Sequence, residues 1–372
     1  MFKIDLTLYK ESKWYFQMFD IIFKDNKIKK EPFLTNIGIS PSSYRKARTV
    51  EQNIGDKLVA QLCESFGYKK PSYELVCSVE ELLNKVYSDV YYKIYTSYES
   101  DLEYINSLIN ENYIIHPVLK LTKLFIMANS KLDTDEFVNK TFNIYEELQK
   151  FICFLNEDLL EILDILSLAY DKEIKESMLF KNYKNTLAYY SLSSRLWKEE
   201  RYAECLFISK RAEEILVKEK NYRRLLSLNV TMMNCLNSLG NYKECYELAK
   251  MELLALKSFV NVDFEYKFTI SHLALCCLPL GKYEECEELI SNKSKVSLTD
   301  ILCFLTAKYF INKKEYESVY SHYYEKFENE SKELIMYLDK VLQHKDKRAL
   351  QKLNSPRVIR YFSNVIKSTC FK

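Results

Sequence analysis

Five glycines and six prolines in 372 residues leave this chain little material for tight turns. Ordinary proteins carry about 7% Gly and 5% Pro, and a barrel or sandwich needs a turn residue about every ten positions. The expected class is therefore all-α. With 48% hydrophobic and 28% charged residues, a chain of this length buries a core and divides into more than one packing unit. Its formal net charge of +2 means that any argument for nucleic acid must rest on local patches. The eleven cysteines contain no C-x-x-C spacing, and no secretory apolar segment follows Met1. That pattern points to free thiols in a reducing cytoplasm, with no metal and no cofactor. No apolar run approaches the roughly 20 residues of a bilayer span, so no membrane partner is expected.

The first seventy residues predict four helices. Trp14, Met18, Ile21 and Ile22 stand at helical spacing, which predicts an amphipathic helix over residues 11–25. A basic link, KIKKEP, leads to a short apolar turn of helix ending at Gly38, the residue type that enters the left-handed region without strain. Ser40 is a natural N-cap and Pro41 a natural first helical residue. The helix they open turns Tyr44 and Ala47 inward and Ser42, Ser43, Arg45, Lys46 and Arg48 elsewhere. A fourth helix follows, with Ile54, Leu58, Leu62 and Phe66 on one face. Short helix, turn, short basic helix is helix-turn-helix geometry, in which the second helix enters the major groove. Between Lys24 and Arg48 seven cations, Lys29 and Lys30 among them, face two anions. The plain alternative is a surface cluster of cations on an all-α protein that never meets DNA.

The order of these helices, with the glycine, an apolar residue, a capping serine and a basic third helix, resembles the five-helix repressor-type domain of bacterial regulators. That resemblance implies groove-facing roles for Pro41, Ser42, Ser43, Arg45 and Lys46. Two departures stand beside it: Lys30-Glu31 replaces the polar pair that usually opens the second helix, and Arg48 stands where an acid is frequent.

From about residue 79 the chain reads as successive helices, over 79–97, 100–111, 117–130, 134–153 and 157–170. Later segments repeat: KEERYAEC, SLGNYKEC, PLGKYEEC and INKKEYESV. In each, a tyrosine (Tyr202, Tyr242, Tyr283, Tyr316) precedes by three a small residue (Cys205, Cys245, Cys286, Val319). Periods of 40, 41 and 33 residues mean stacked helical hairpins. Cysteine is compact and apolar, so its recurrence at one register position is read as packing, not ligation.

This pattern resembles the tetratricopeptide repeat, which implies a right-handed superhelix with a concave face able to hold a short linear peptide. The positions that line such a face fall on Tyr190, Ser194, Ser227, Thr231, Asn234, Asn237, Ser271, Leu275, Lys308 and Asn312, with Arg223 and Arg224 nearby for a carboxylate. Solvated helix surface is the plain alternative for the two asparagines and the arginines.

A basic head on a repeat body resembles the peptide-responsive regulators of Gram-positive bacteria and their phages, the class that includes Rgg, PlcR, PrgX and the arbitrium receptors. The resemblance implies a helix-turn-helix domain over 1–72, a peptide-binding repeat domain over 79–330, and capping or dimerisation helices over 331–372, within which helices are expected at 331–345 and 355–370. It further implies a cytoplasmic homodimer with two partners: a double-stranded DNA operator and a signalling peptide. The related Rap regulators, which act on a partner protein without touching DNA, supply the alternative. The four histidines are scattered and no phosphate-binding glycine loop exists, so no catalytic residue is expected.

Overall fold

The computed structural model describes residues 2–49, 53–94, 97–129, 134–170, 174–259, 262–355 and 361–371. It is all-helical, at 78% helix, and the described residues hold 21 α-helices and no strand. None of these helices is long and apolar enough to cross a membrane. The chain divides into two compact units, one running to Leu192 and one from Ser193.

The first unit opens with α1 (Ser12–Asp25), α2 (Lys30–Asn36), α3 (Pro41–Thr49) and α4 (Asn53–Phe66). α1 buries Tyr15, Phe16, Met18, Phe19, Ile22 and Phe23, and α3 and α4 both pack on it. The core so formed is aromatic. Phe33 stacks on Phe66 at 4.8 Å between centroids, and Phe16 meets Tyr44 edge-on at 5.0 Å, geometries that suit the ring quadrupole. α2 ends where expected. Gly38 takes φ +75°, and the N–H groups of Gly38 and Ile39 bond back to the carbonyls of Thr35 and Leu34 at 3.0 and 2.8 Å, the two bonds of a Schellman cap.

Six further helices follow in this unit: α5 (Tyr73–Tyr91), α6 (Glu99–Asn110), α7 (His116–Ala128), α8 (Thr134–Gln149), α9 (Glu157–Tyr170) and the short α10 (Glu176–Phe180). α5 starts six residues before the position its apolar periodicity suggests, because the Ser72 side chain caps it by accepting from Leu75 N–H at 3.1 Å. The residues before α1 are also built in. Ile4 N–H bonds Asn84 Oδ1 at 2.9 Å, Leu6 N–H bonds Glu80 Oε2 at 3.0 Å, and Tyr9 OH donates to the Phe154 carbonyl at 2.9 Å. α1 to α4 thus share one compact unit with α5 to α10.

The division between the units falls within α11 (Thr186–Lys198). The second unit continues with α12 (Tyr202–Lys218), α13 (Tyr222–Ser238), α14 (Tyr242–Leu256), α15 (Asp263–Cys277), α16 (Tyr283–Ser291), α17 (Leu298–Ile311), α18 (Lys313–Lys326), α19 (Asn329–His344), α20 (Lys347–Lys352) and α21 (Phe362–Cys370). Consecutive helices pack from α12 to α20, and α15 also meets α13, α17 and α21. Surrounded this way, α15 buries every residue from Thr269 to Cys277, as a helix that is apolar almost all round should. Between residues 331 and 372 the sequence suggested two helices; three form, and residues 356–360 lie outside the described set.

The repeating turn is a shared backbone device. Glu200, Gly240 and Gly281 all take left-handed φ, at 62°, 79° and 74°. Two residues after each stands the first residue of the next helix, Tyr202, Tyr242 or Tyr283. Cys205, Cys245 and Cys286 are then fully buried. The fourth segment departs from this plan. Asn312 caps α18 directly by accepting from Lys314 N–H at 3.1 Å, so Tyr316 lies inside the helix and is itself buried, while Val319 is half-exposed.

Candidate functional site

α3 displays its side chains as its sequence suggests. Tyr44 and Ala47 are 2% and 3% exposed, whereas Ser42, Arg45, Lys46 and Arg48 are exposed and Pro41 and Ser43 half-buried. Ser40 caps the helix, accepting from Ser43 N–H at 3.0 Å, and its hydroxyl lies 2.9 and 2.7 Å from those of Ser42 and Ser43. A rigid start of this kind fixes where the following cations project.

Asp20 changes the charge count. Lying in α1, four residues before the basic stretch, it pairs with Lys30 and with Arg48 Nη1 at 3.0 Å, and accepts from Tyr44 OH at 2.8 Å. Lys30 also lies over the Tyr44 ring, 4.4 Å from its centroid. Lys30 therefore spans the α1–α2–α3 junction between Asp20 and the Tyr44 ring, with its side chain partly exposed. Burial pushes the Tyr44 phenol well above its ordinary range, with Asp20 adding to the effect, so it stays a neutral donor to that carboxylate. Arg45 is more outward than Lys30 or Arg48: its side chain is 75% exposed, with Glu31 3.8 Å away. Lys29 is exposed before α2.

The residues expected on a peptide-holding face meet a different fate. Asn237 is fully buried; its Nδ2 lies 3.3 Å from His272 Nδ1, and its Oδ1 accepts from Cys276 Sγ at 3.1 Å. Asn234 Oδ1 accepts from Tyr361 OH at 3.4 Å, and that hydroxyl sits 2.9 Å from His272 Nδ1. His272 is enclosed on all sides and is neutral. Burial lowers its pKa to about 4. Both asparagines thus bind the chain's own residues, Asn234 at Tyr361 and Asn237 at His272 and Cys276.

Ser271 is likewise internal: it donates to Asp300 Oδ1 at 2.8 Å, beside Lys293, whose Nζ is 2.6 Å from Asp300 Oδ2. Leu275 is fully buried and Arg224 is 7% exposed. Lys308 is held by Glu287 and Glu315, both at 2.7 Å, and these bonds raise its pKa. Asn312 is the α18 cap. For Asn237, Ser271 and Arg224 the physical reason is common: helices enclosed on several sides turn their polar residues into interior partners. Tyr190, Ser194, Arg223, Ser227 and Thr231 stay half-exposed.

The sequence reading missed Asp20, Tyr361 and the buried Lys293–Asp300 pair. Nothing local announces the first two. The third carries a signal in Ser297-x-x-Asp300, a capping box at the start of α17. The first unit also holds an open cavity of about 600 Å³, lined by Tyr145, Leu160, Leu163, Met178, Phe180 and Lys181 among others.

Comparison with protein-family models, with curated proteins and with solved structures found no match for the chain.

Proposed function

We propose that the chain is a DNA-binding transcriptional regulator, whose helix-turn-helix head is formed by α2 and α3 and whose tetratricopeptide-like body binds a short linear peptide. The observation that carries the reading is the outward face of α3: Ser42, Arg45 and Lys46 project from a capped helix that is anchored inward by Tyr44 and Ala47. An α-helix fits the major groove, and Arg or Lys can reach guanine edges there. In this reading Lys29 and Arg48 meet backbone phosphates, and two chains present their heads to a two-part operator.

The peptide would lie within the second unit, at Ser194, Arg223, Ser227 and Thr231, positions that are half-exposed. It would act by unequal affinity for two arrangements of the regulator; a tenfold shift needs about 1.4 kcal/mol of difference.

The pairing of Lys30 and Arg48 with Asp20 favours a second reading, in which this face binds an acidic partner protein and never DNA. Electrophoretic mobility of DNA flanking the gene, at low salt, separates the two. The wild type retards the fragment, with a log–log salt slope of about −0.9 per phosphate contacted, and the Arg45→Ala, Lys46→Ala double variant does not. No retardation by the wild type sinks the first reading.

A further inference from the structure

α13, α14 and α15 meet at a junction that lacks one hydrogen-bond donor. Asn229 Nδ2 donates to Glu252 Oε2 at 2.7 Å. Asn229 is 7% exposed and Glu252 2%, yet neither Asn229 Oδ1 nor Glu252 Oε1 has a partner. Two stranded acceptors would be costly, since a buried polar atom without a bond loses its hydration for nothing. An ionised Glu252 would be worse still, because Glu265 of α15, 2% exposed, adds a second carboxylate to the junction. One proton answers both problems: it removes the charge, and it gives the pair a second hydrogen bond.

We propose that Glu252 holds a proton in the folded chain and donates it from Oε1 to Asn229 Oδ1, and that losing this proton as the pH rises loosens the α13–α14–α15 junction. The groups around it are consistent. From α13 come Asn229 and Ser227, whose hydroxyl donates to Glu265 Oε1 at 3.3 Å, with Arg223 and Arg224 one turn earlier. From α12, Lys210 reaches α14 at Glu244; from α16, Glu285 reaches it at Tyr246 and Lys250. These last two engage other residues of α14. Burial is the main cause that moves the Glu252 carboxyl up to about 7, with Glu265 adding and the Asn229 bond opposing. Ser227, half-exposed on the same helix, belongs both to this joint and to the surface assigned above to a peptide, though the proposal does not depend on that assignment.

The folded chain binds this proton more tightly than the unfolded one, whose carboxyl titrates near 4.5. The stabilisation is complete below 4.5 and is lost as the pH climbs through about 7. His272 works oppositely, losing its contribution as the pH falls from 6.5 towards about 4, so the wild-type profile is a sum of the two. Glu252→Gln isolates the first: its amide makes both bonds to Asn229 without a titrating proton. Urea denaturation of the full chain at about pH 5.5 and about pH 8 should show the ratio of wild-type to E252Q unfolding constants rising by on the order of tenfold from the lower pH to the higher. The same difference at both values overturns the proposal. Infrared spectra near pH 6 give a direct reading, in which the wild type carries a protonated-carboxyl band that E252Q lacks; spectra without that difference also overturn it.

Discussion

α3 and α13 are both rich in polar side chains, and they dispose of them in opposite ways. α3 rests on α1 and α4 by Tyr44 and Ala47 and leaves Ser42, Arg45 and Lys46 outside. α13 is packed by α12, α14 and α15, and its Arg224, Asn229 and Asn237 are buried. In a helix packed on one side a polar stripe faces water. Among neighbours on several sides the same residue types become interior hydrogen-bonding partners, and their loss is felt as stability before it is felt as binding.

That contrast predicts a graded series. The greatest effect belongs to Asp300→Ala, which strands Lys293, a cation whose side chain is 5% exposed. Breaking one partner of a buried pair costs about 3–5 kcal/mol, and urea denaturation of the full chain should register it; a loss below about 1 kcal/mol would mean that the pair is solvated. Tyr361→Phe removes a hydroxyl from the Asn234–His272 cluster while keeping the ring, so about 1 kcal/mol is expected from the same measurement. An unchanged midpoint would put that hydroxyl in contact with water. Smallest is the Arg45→Ala, Lys46→Ala variant. Thermal melting should move by no more than about 0.5 kcal/mol equivalent, and a larger drop would make these cations part of the packing and erase the comparison.

How much of this was legible in the chain follows from distance along it. The outward face of α3 could be read because its determinants, Ser40, Tyr44 and Ala47, are neighbours. The repeats could be read where a glycine marks the turn, at Gly240 and Gly281. Glu200 takes the same left-handed conformation without any residue-type signal for it. The Val319 position misled, because Asn312 replaces the left-handed turn with a direct cap and moves the buried role to Tyr316. Asp20 escaped a charge count that began at Lys24. Asn234 and Asn237 were read as binding residues since their partners are remote: Tyr361 is 127 positions from Asn234 and His272 is 35 from Asn237. In α13, exposure was the property that local pattern could not supply.

The thiols carry one more consequence. Cys153 is exposed and Cys77 partly so, while every other cysteine is buried, including those that fix the tyrosine turns. Desolvation raises the pKa of Cys277, Cys286 and Cys303, and a protonated thiol attacks alkylating reagents slowly. Labelling of the intact fold would therefore begin at residue 153, and each later adduct would date the opening of a particular hairpin, so the chain carries reporters of its own unfolding without any engineered probe.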